Sequence, residues 1–465
     1  MSRWIAGLVL FAGCSGPGVS GDASLRVGVA EVDITPPVGY RMAGYFHERR
    51  NTGTKDPLKA KAMVLAQGGT KIALVFCDLI GVPAAVSTPA RESAAAKTGI
   101  PASHISIAAT HSHTGPLYYG MMNKILSERA RATEFDYPSM LIERIVQAVE
   151  KAQEALVRAE LRSGMALETR LSFNRRFLMK DGTTRTNPGV LNPEIVKPMG
   201  PIDPEFGILY VLASNKAYVG EPGWVDFPIP FAALTVFACH CDTVGGTEYS
   251  ADYPGHLSKG IREVLGPGFT PLFGAGTCGN INHIDVTTKE RQKTEAIGAT
   301  LAKDVVAALP TLEPVRSSLA MKSVRLDLPV QRVSAEQISE ARAKVDKVGT
   351  KDLPSLEQVR TCTVLHLADL PERWSLEVQA IRLGPDTAIV TLPGEVFVEH
   401  GLAIKKASPF KHTFVIELAN DNCAYVPTRE AFAQGAYEVI NSRLQPGSGE
   451  MMVDAALALL RELAR

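Results

Sequence analysis

HISIAATHSHTGP, residues 104–116, alternates polar or small side chains with β-branched ones as far as Thr110 and then runs into Gly115-Pro116. That period marks a β-strand, and the Gly-Pro pair stops it. His111 and His113, at i and i+2 on the tip of such a strand, point to one face. Two imidazoles aimed at one point suit two metal ligands, or one ligand and one proton carrier. The plainer alternative is a polar triplet opening a solvated loop, and an HxH pair alone does not decide the matter.

Working outward, residues 60–67 and 71–78 read as strands joined through Gly68-Gly69 as a hairpin turn. Residues 25–34 read as a strand that Thr35-Pro36-Pro37 ends. An Ala-rich helix is expected over 88–98. Residues 135–159 carry Leu141, Ile145, Val149, Ala152 and Leu156 at helical spacing, which predicts one long amphipathic helix. Strands are expected at 206–214, 232–241, 375–383, 387–392 and 413–418, with another ending at Phe273. Helices are expected at 255–264, 289–308, 334–345, 396–406 and 451–463. Residues 176–205, polar and rich in Pro and Gly, hold no sustained period and read as a long functional loop. Strands alternating with helices give an α/β fold, a mixed β-sheet core flanked by helices. With no internal repeat, low-complexity tract or linker, residues 25–465 read as a single catalytic domain.

A chain of 465 residues can enclose a deep site. Lys plus Arg and Asp plus Glu both number 49, so no basic field recruits nucleic acid. The amino terminus, MSRWIAGLVLFAGCSG, places Arg3 before an apolar run from Trp4 to Ala12. That run is too short to span a bilayer and makes residues 1–24 an export signal. Leu10-Phe11-Ala12-Gly13-Cys14 resembles a bacterial lipoprotein box, with Phe11 where leucine is usual. A lipid anchor on Cys14, giving peripheral membrane association, therefore stands beside a plain secreted or periplasmic product. No later stretch reaches about 18 uninterrupted apolar residues. The remaining cysteines, Cys77, Cys239, Cys241, Cys278, Cys362 and Cys423, contain no CxxC pattern, and their pairing cannot be deduced. On a strand, Cys239 and Cys241 would face away from His240 and pack as small apolar residues.

Further clusters fall at the carboxyl ends of expected strands: His240 after ALTVFAC, GAGTCGN at 274–280 after PLF, Glu395 in LPGE, and 420–425 after FVIEL. Sites gather at such ends because loops there expose side chains over a rigid sheet. The ordered set VGVAEVDITPP, MAGY, CDLIG, ATHSHTGP, NRR, FACH, GTCGNIN, LPGE and NCAYVPTREAFAQGAYE resembles the catalytic domain of the neutral/alkaline, non-lysosomal ceramidases, from about Val27 to about Glu438. THSHTGP and the YVPT…YE segment are its specific parts.

The resemblance implies a zinc-dependent amidohydrolase that cuts the amide of ceramide into a fatty acid and sphingosine. It implies one Zn²⁺ per chain, held by His111, His240, Glu395 and Tyr425. Two imidazoles, a carboxylate and a phenol oxygen form a sensible donor set for that ion. It further implies His113 as the proton carrier beside the metal, Tyr437 as support for the oxyanion and Arg175 as an aid in placing the scissile carbonyl. Singly, each residue has an ordinary reading: His240 a core histidine, Glu395 a helix N-terminal charge, Tyr425 a packed aromatic, Arg175 a loop charge. The family's separate carboxyl-terminal immunoglobulin-like domain is not expected, since about 27 residues follow Glu438.

One departure counts. Aligned on Gly279, Asn282 stands where the family has serine and His283 where it has proline, and residues 178–201 are unlike the ceramidases. Zinc hydrolysis survives such changes more easily than ceramide specificity. Amidase activity weak on long-chain ceramide and better on a smaller or more polar N-acyl substrate is therefore expected. The alternatives are a zinc hydrolase of another small amide or ester, and a non-catalytic binding relative.

Overall fold

Alternating burial along the strands sorts the interior into layers. In the Lys59–Gln67 strand, Ala62 and Val64 face one way while Met63 and Leu65 face the other. The computed structural model describes residues 24–130, 135–218 and 224–465, so that the expected export signal and Cys14 lie outside the described residues. Nine strands form a mixed sheet. Its order is Thr270–Ala275, Trp224–Phe237, Glu205–Tyr218, Val157–Leu167, Arg26–Asp33, Lys59–Gln67, Thr70–Cys77 and Ile105–Ala109, with Glu313–Val315 pairing beside Val157–Leu167. The helices Ala84–Thr98 and Tyr137–Glu154 cover half of one face through Val75, Ile107, Leu141 and Val149. Asp252–Leu265 and Thr294–Ala308 cover the other half.

The opposite face packs on a second sheet, ordered Ala320–Pro329, Arg373–Gly384, Thr387–Thr391 and His412–Ile416, through Phe76, Leu209, Ile381 and Phe414. Helices Val398–Ala407 and Ser448–Leu463 close its far side. The result is a helix, sheet, sheet, helix sandwich, the mixed-sheet α/β architecture expected. Three parallel strand pairs position the candidate site: Thr70–Cys77 with Ile105–Ala109, Trp224–Phe237 with Thr270–Ala275, and Thr387–Thr391 with His412–Ile416. The loops after them carry the histidine, glycine and carboxylate motifs.

Several expectations need correction. The helix predicted over 135–159 spans only Tyr137–Glu154, started by Asp136, whose side chain accepts from the Ser139 N–H. It ends there because Val157 and Arg158 must pair with Val27 and Arg26. Leu156 prolonged the apolar period since it still packs on the same core. Residues 176–205 are not structureless: Ile195–Pro198, Arg176–Met179 and Thr184–Thr186 form a small sheet. Strands of three or four residues are too short to leave a readable period. The strand over 232–241 stops at Phe237. The six later cysteines are free, all but Cys362 buried. No helix among the described residues is long and apolar enough to cross a membrane.

Gly28 sits where the Arg26–Asp33 strand meets the Tyr137–Glu154 helix, and a Cβ there would fall 1.9 Å from the Ala152 carbonyl oxygen. Backbone cannot give way as a side-chain tip can. Gly28→Ala should cost about 1–3 kcal/mol, the usual penalty for overpacking. Urea unfolding would show it as a lower midpoint; an unchanged midpoint would mean that the helix is not seated this closely.

Candidate metal centre and its cavity

The HxH pair does not sit on a strand tip. The strand ends at Ala109, and His111 takes a φ of 73°, in the left-handed region. Its N–H donates to the Leu79 carbonyl, and the His113 N–H donates to that of Cys241. A tight loop, rather than strand alternation, brings the rings together edge to face, with centroids 4.8 Å apart. His240 arrives from the loop after Phe237, its ring centroid 4.4 Å from that of His111. Cys239 and Cys241 are buried in the helix-covered core, as expected.

Each imidazole is held by its Nδ1. His111 Nδ1 meets the Ile80 carbonyl at 2.8 Å, His240 Nδ1 that of Cys278 at 2.8 Å, and His113 Nδ1 that of Gly44 at 3.2 Å. A carbonyl oxygen only accepts, so each Nδ1 carries a proton, and Nε2 of each ring in its neutral form presents a lone pair. These lone pairs converge. His113 Nε2 lies 3.3 Å from His111 Nε2, and the three side chains offer nitrogen atoms within 4.8 Å of one another. Glu395 Oε2 sits 3.4 Å from His111 Nε2 and 3.5 Å from His240 Nε2. Both His240 Nε2 and Glu395 Oε2 are buried without a hydrogen-bond partner among the described residues.

The electrostatics follow from that geometry. Burial pushes His113 down to about 3, with His111 adding to the fall, and burial and then Arg175 push His240 well down. Burial pulls His111 down, but Glu395 together with Glu417 and the Ile80 carbonyl more than offsets it, and His111 is raised. Burial alone would raise Glu395, yet His111 and His240 hold it well below the carboxylate range. A carboxylate beside two imidazoles held neutral, His113 and His240, and a third that gives up its Nε2 proton to a competing ion is a cation-binding set.

Tyr425 pairs with Glu395 in a short parallel bridge, so both arrive side by side. Its hydroxyl accepts from Arg175 Nη2 at 3.0 Å, and its ring meets that of Tyr437 at 5.4 Å. Arg175 is no surface charge: it is buried, with Nε donating to Glu438 Oε1 and Nη2 also to the Gly279 carbonyl. Glu438, fully buried, also takes Arg176 Nη1 and the Thr186 hydroxyl. Sequence reasoning missed it, although it stands next to Tyr437 in the YVPT…YE segment. It missed Glu417 too, a buried carboxyl that accepts from the Val396 N–H and Cys278 Sγ and that burial pushes up to about 8.

A cavity of about 220 Å³ opens onto this group. His111, His113, Glu395, Tyr425 and Tyr437 form its polar end, and Leu117, Met121, Met122 and Val359 give it apolar walls. Asn282 is not part of the lining. Its amide donates to Asn187 Oδ1 at 2.8 Å and accepts from the Ile284 N–H, tying down the 176–205 segment.

Residues 25–178 match the family described as neutral/alkaline non-lysosomal ceramidase, N-terminal. Over 512 residues the chain is 23% identical to a Pseudomonas aeruginosa protein called neutral ceramidase, covering 96% of this chain and 74% of that one. The crystal structure of neutral ceramidase from Pseudomonas aeruginosa matches with a TM-score of 0.70 at 20% identity, covering 95% of this chain and 75% of that chain. A ceramidase complexed with C2 matches with a TM-score of 0.69 at 19% identity, over 95% of this chain and 76% of the other. At such identities the structural likeness speaks for the fold, and it is residues 25–178 that carry the match to the neutral/alkaline non-lysosomal ceramidase family.

Proposed function

We propose that the chain is a zinc-dependent amidohydrolase acting on an N-acyl, ceramide-like amide. The observation that carries this is the convergence of Nε2 nitrogens on the unpartnered oxygen of Glu395, a set that a divalent cation would complete. His111, His240, Glu395 and Tyr425 would hold the ion. Zinc bound there would acidify a water and polarise the scissile carbonyl. His113, neutral and facing the same point, takes a proton from the attacking water and returns it to the departing nitrogen. The acyl carbon gains the water oxygen as its bond to nitrogen breaks. Burial and then Glu395 push the Tyr437 hydroxyl up to about 12, so it stays protonated and donates to the developing oxyanion. Arg175 is committed to Glu438, Gly279 and Tyr425, and it acts by fixing the Tyr425 phenol.

Purified protein should carry about one zinc per chain, and His240→Ala should remove it. A folded wild-type preparation that takes up no transition metal, even with zinc supplied, would end this reading.

His113→Ala separates a proton carrier from a fourth nitrogen ligand. As a carrier it should keep zinc and lose roughly 10² to 10⁴ in turnover, the usual worth of a positioned acid or base. Parallel loss of metal and activity would make it a ligand instead.

The cavity, at about 220 Å³, is small against the roughly 300–1,000 Å³ common for ligand sites. Its size, rather than Asn282, supports weak activity on long-chain ceramide. We expect kcat/KM for a hexanoyl amide to exceed that for the palmitoyl homologue; the reverse order would mark a true long-chain ceramidase.

A further inference from the structure

Arg443 lies in the wall of the same cavity as the histidines, linked through Asn441 to Tyr437. It is only 8% exposed, and every group that it meets is neutral. Nε donates to His366 Nδ1 at 3.2 Å, and Nη1 donates to Thr363 Oγ1, the Asn441 carbonyl and Asn441 Oδ1. His366 is itself neutral, pushed down to about 4 by burial and then by Arg443. Among the described residues no carboxylate forms an ion pair with Arg443, and Nη2 has no hydrogen-bond partner. Three buried counterparts are treated differently, Arg91 facing Glu377 and Arg175 and Arg176 sharing Glu438. Arg49, also 8% exposed, likewise donates only to carbonyls but lies outside this cavity's lining. Burial lowers Arg443 only to about 10, so it remains charged near neutrality. An unpaired buried cation is costly to keep. Four fixed acceptors hold this one in place with two N–H groups to spare.

The helix Ser355–Asp369 explains how the site is built. Val359, Cys362 and His366 lie at i, i+3 and i+7 on the face that lines the cavity, so one helix supplies both apolar wall and acceptor. The cavity thus holds a hydrolytic centre and a fixed cation within one partly apolar lining. We propose that Arg443 receives an anionic group of the substrate, so that the amide cleaved here carries a carboxylate or like anion besides its scissile bond. This rests on the amidohydrolase reading above. A guanidinium suits such a group because it forms charge-assisted hydrogen bonds in a set plane. The anion could belong to the amine part or to the acyl part of the amide.

Three probes of similar length test this: N-dodecanoylglycine, with the anion on the amine side; N-dodecyl succinamate, with it on the acyl side; and N-dodecanoylethanolamine, which is neutral. Wild type should favour at least one anionic probe over the neutral one by about tenfold or more in kcat/KM, and which one assigns the side. Arg443→Leu should collapse that ratio, whereas Arg443→Lys should restore part of it. No anionic preference in wild type would overturn the proposal. So would an equal loss on all three probes in Arg443→Leu, which would leave Arg443 merely steadying Tyr437 through Asn441, whose Nδ2 donates to the Tyr437 hydroxyl. If none is hydrolysed, the amidohydrolase reading fails by itself. Binding of the same probes, followed by Trp374 fluorescence beside His366, then decides this proposal: anionic probes held more tightly, and lost in Arg443→Leu, sustain it, and equal binding ends it.

Discussion

Three histidine rings that turn their Nε2 nitrogens toward one another form a repulsive arrangement unless a proton or a cation lies between them. In this protein the repulsion is built in by the backbone. The carbonyls of Ile80, Cys278 and Gly44 each claim an Nδ1 proton, and no rotation of a single ring relieves the others. The nine-stranded sheet delivers two of those carbonyls: Ile80 follows the Thr70–Cys77 strand, and Cys278 follows Thr270–Ala275. His111, Leu418, Asn420, Ala424 and Ala436 all hold positive φ in segments that build or adjoin the site. Strain of this kind costs about 1–3 kcal/mol per residue and persists only where the surroundings enforce it.

A second layer makes the first rigid. Gly279 packs so closely on the Glu395 backbone that a Cβ would fall 2.5 Å from the Glu395 carbonyl oxygen, which locks the GTCGN turn against the carboxylate's own segment. Glu438 binds Arg175, whose side chain reaches the site, Arg176, which also reaches Gln434, and Thr186 of the 176–205 segment. Burying these charges is expensive, and a complete set of partners is what makes it tolerable. The same carboxylate therefore braces Tyr425 and anchors a wall of the molecule.

Local pattern told much of the fold. Gly68-Gly69 between two alternating runs led directly to the Lys59–Gln67 and Thr70–Cys77 hairpin. The helix Ser355–Asp369 escaped notice because it buries Gln358, Thr361 and Thr363 together with Val359, so its inner face shows no apolar stripe. The site was legible only as an ordered series of motifs. His111, His240, Glu395 and Tyr425 lie far apart in the chain, and no spacing rule joins them. The pairing of Glu395 with Tyr425 depends on a two-residue bridge that propensity does not reveal. Glu438, Glu417 and Arg443 were missed for a shared reason: a charged residue reads as surface until its buried partners, or their lack, are seen in three dimensions.

The central claim is that imidazole nitrogens and a carboxylate oxygen, with no thiolate, surround a zinc ion, although four buried cysteines, Cys239, Cys241, Cys278 and Cys423, lie in or beside the same motifs. X-ray absorption at the zinc edge of protein purified without added metal tests it most directly. The account predicts a first shell of nitrogen and oxygen only, with the outer-shell scattering of two or three imidazoles. A sulfur shell, or a spectrum without imidazole scattering, would contradict it.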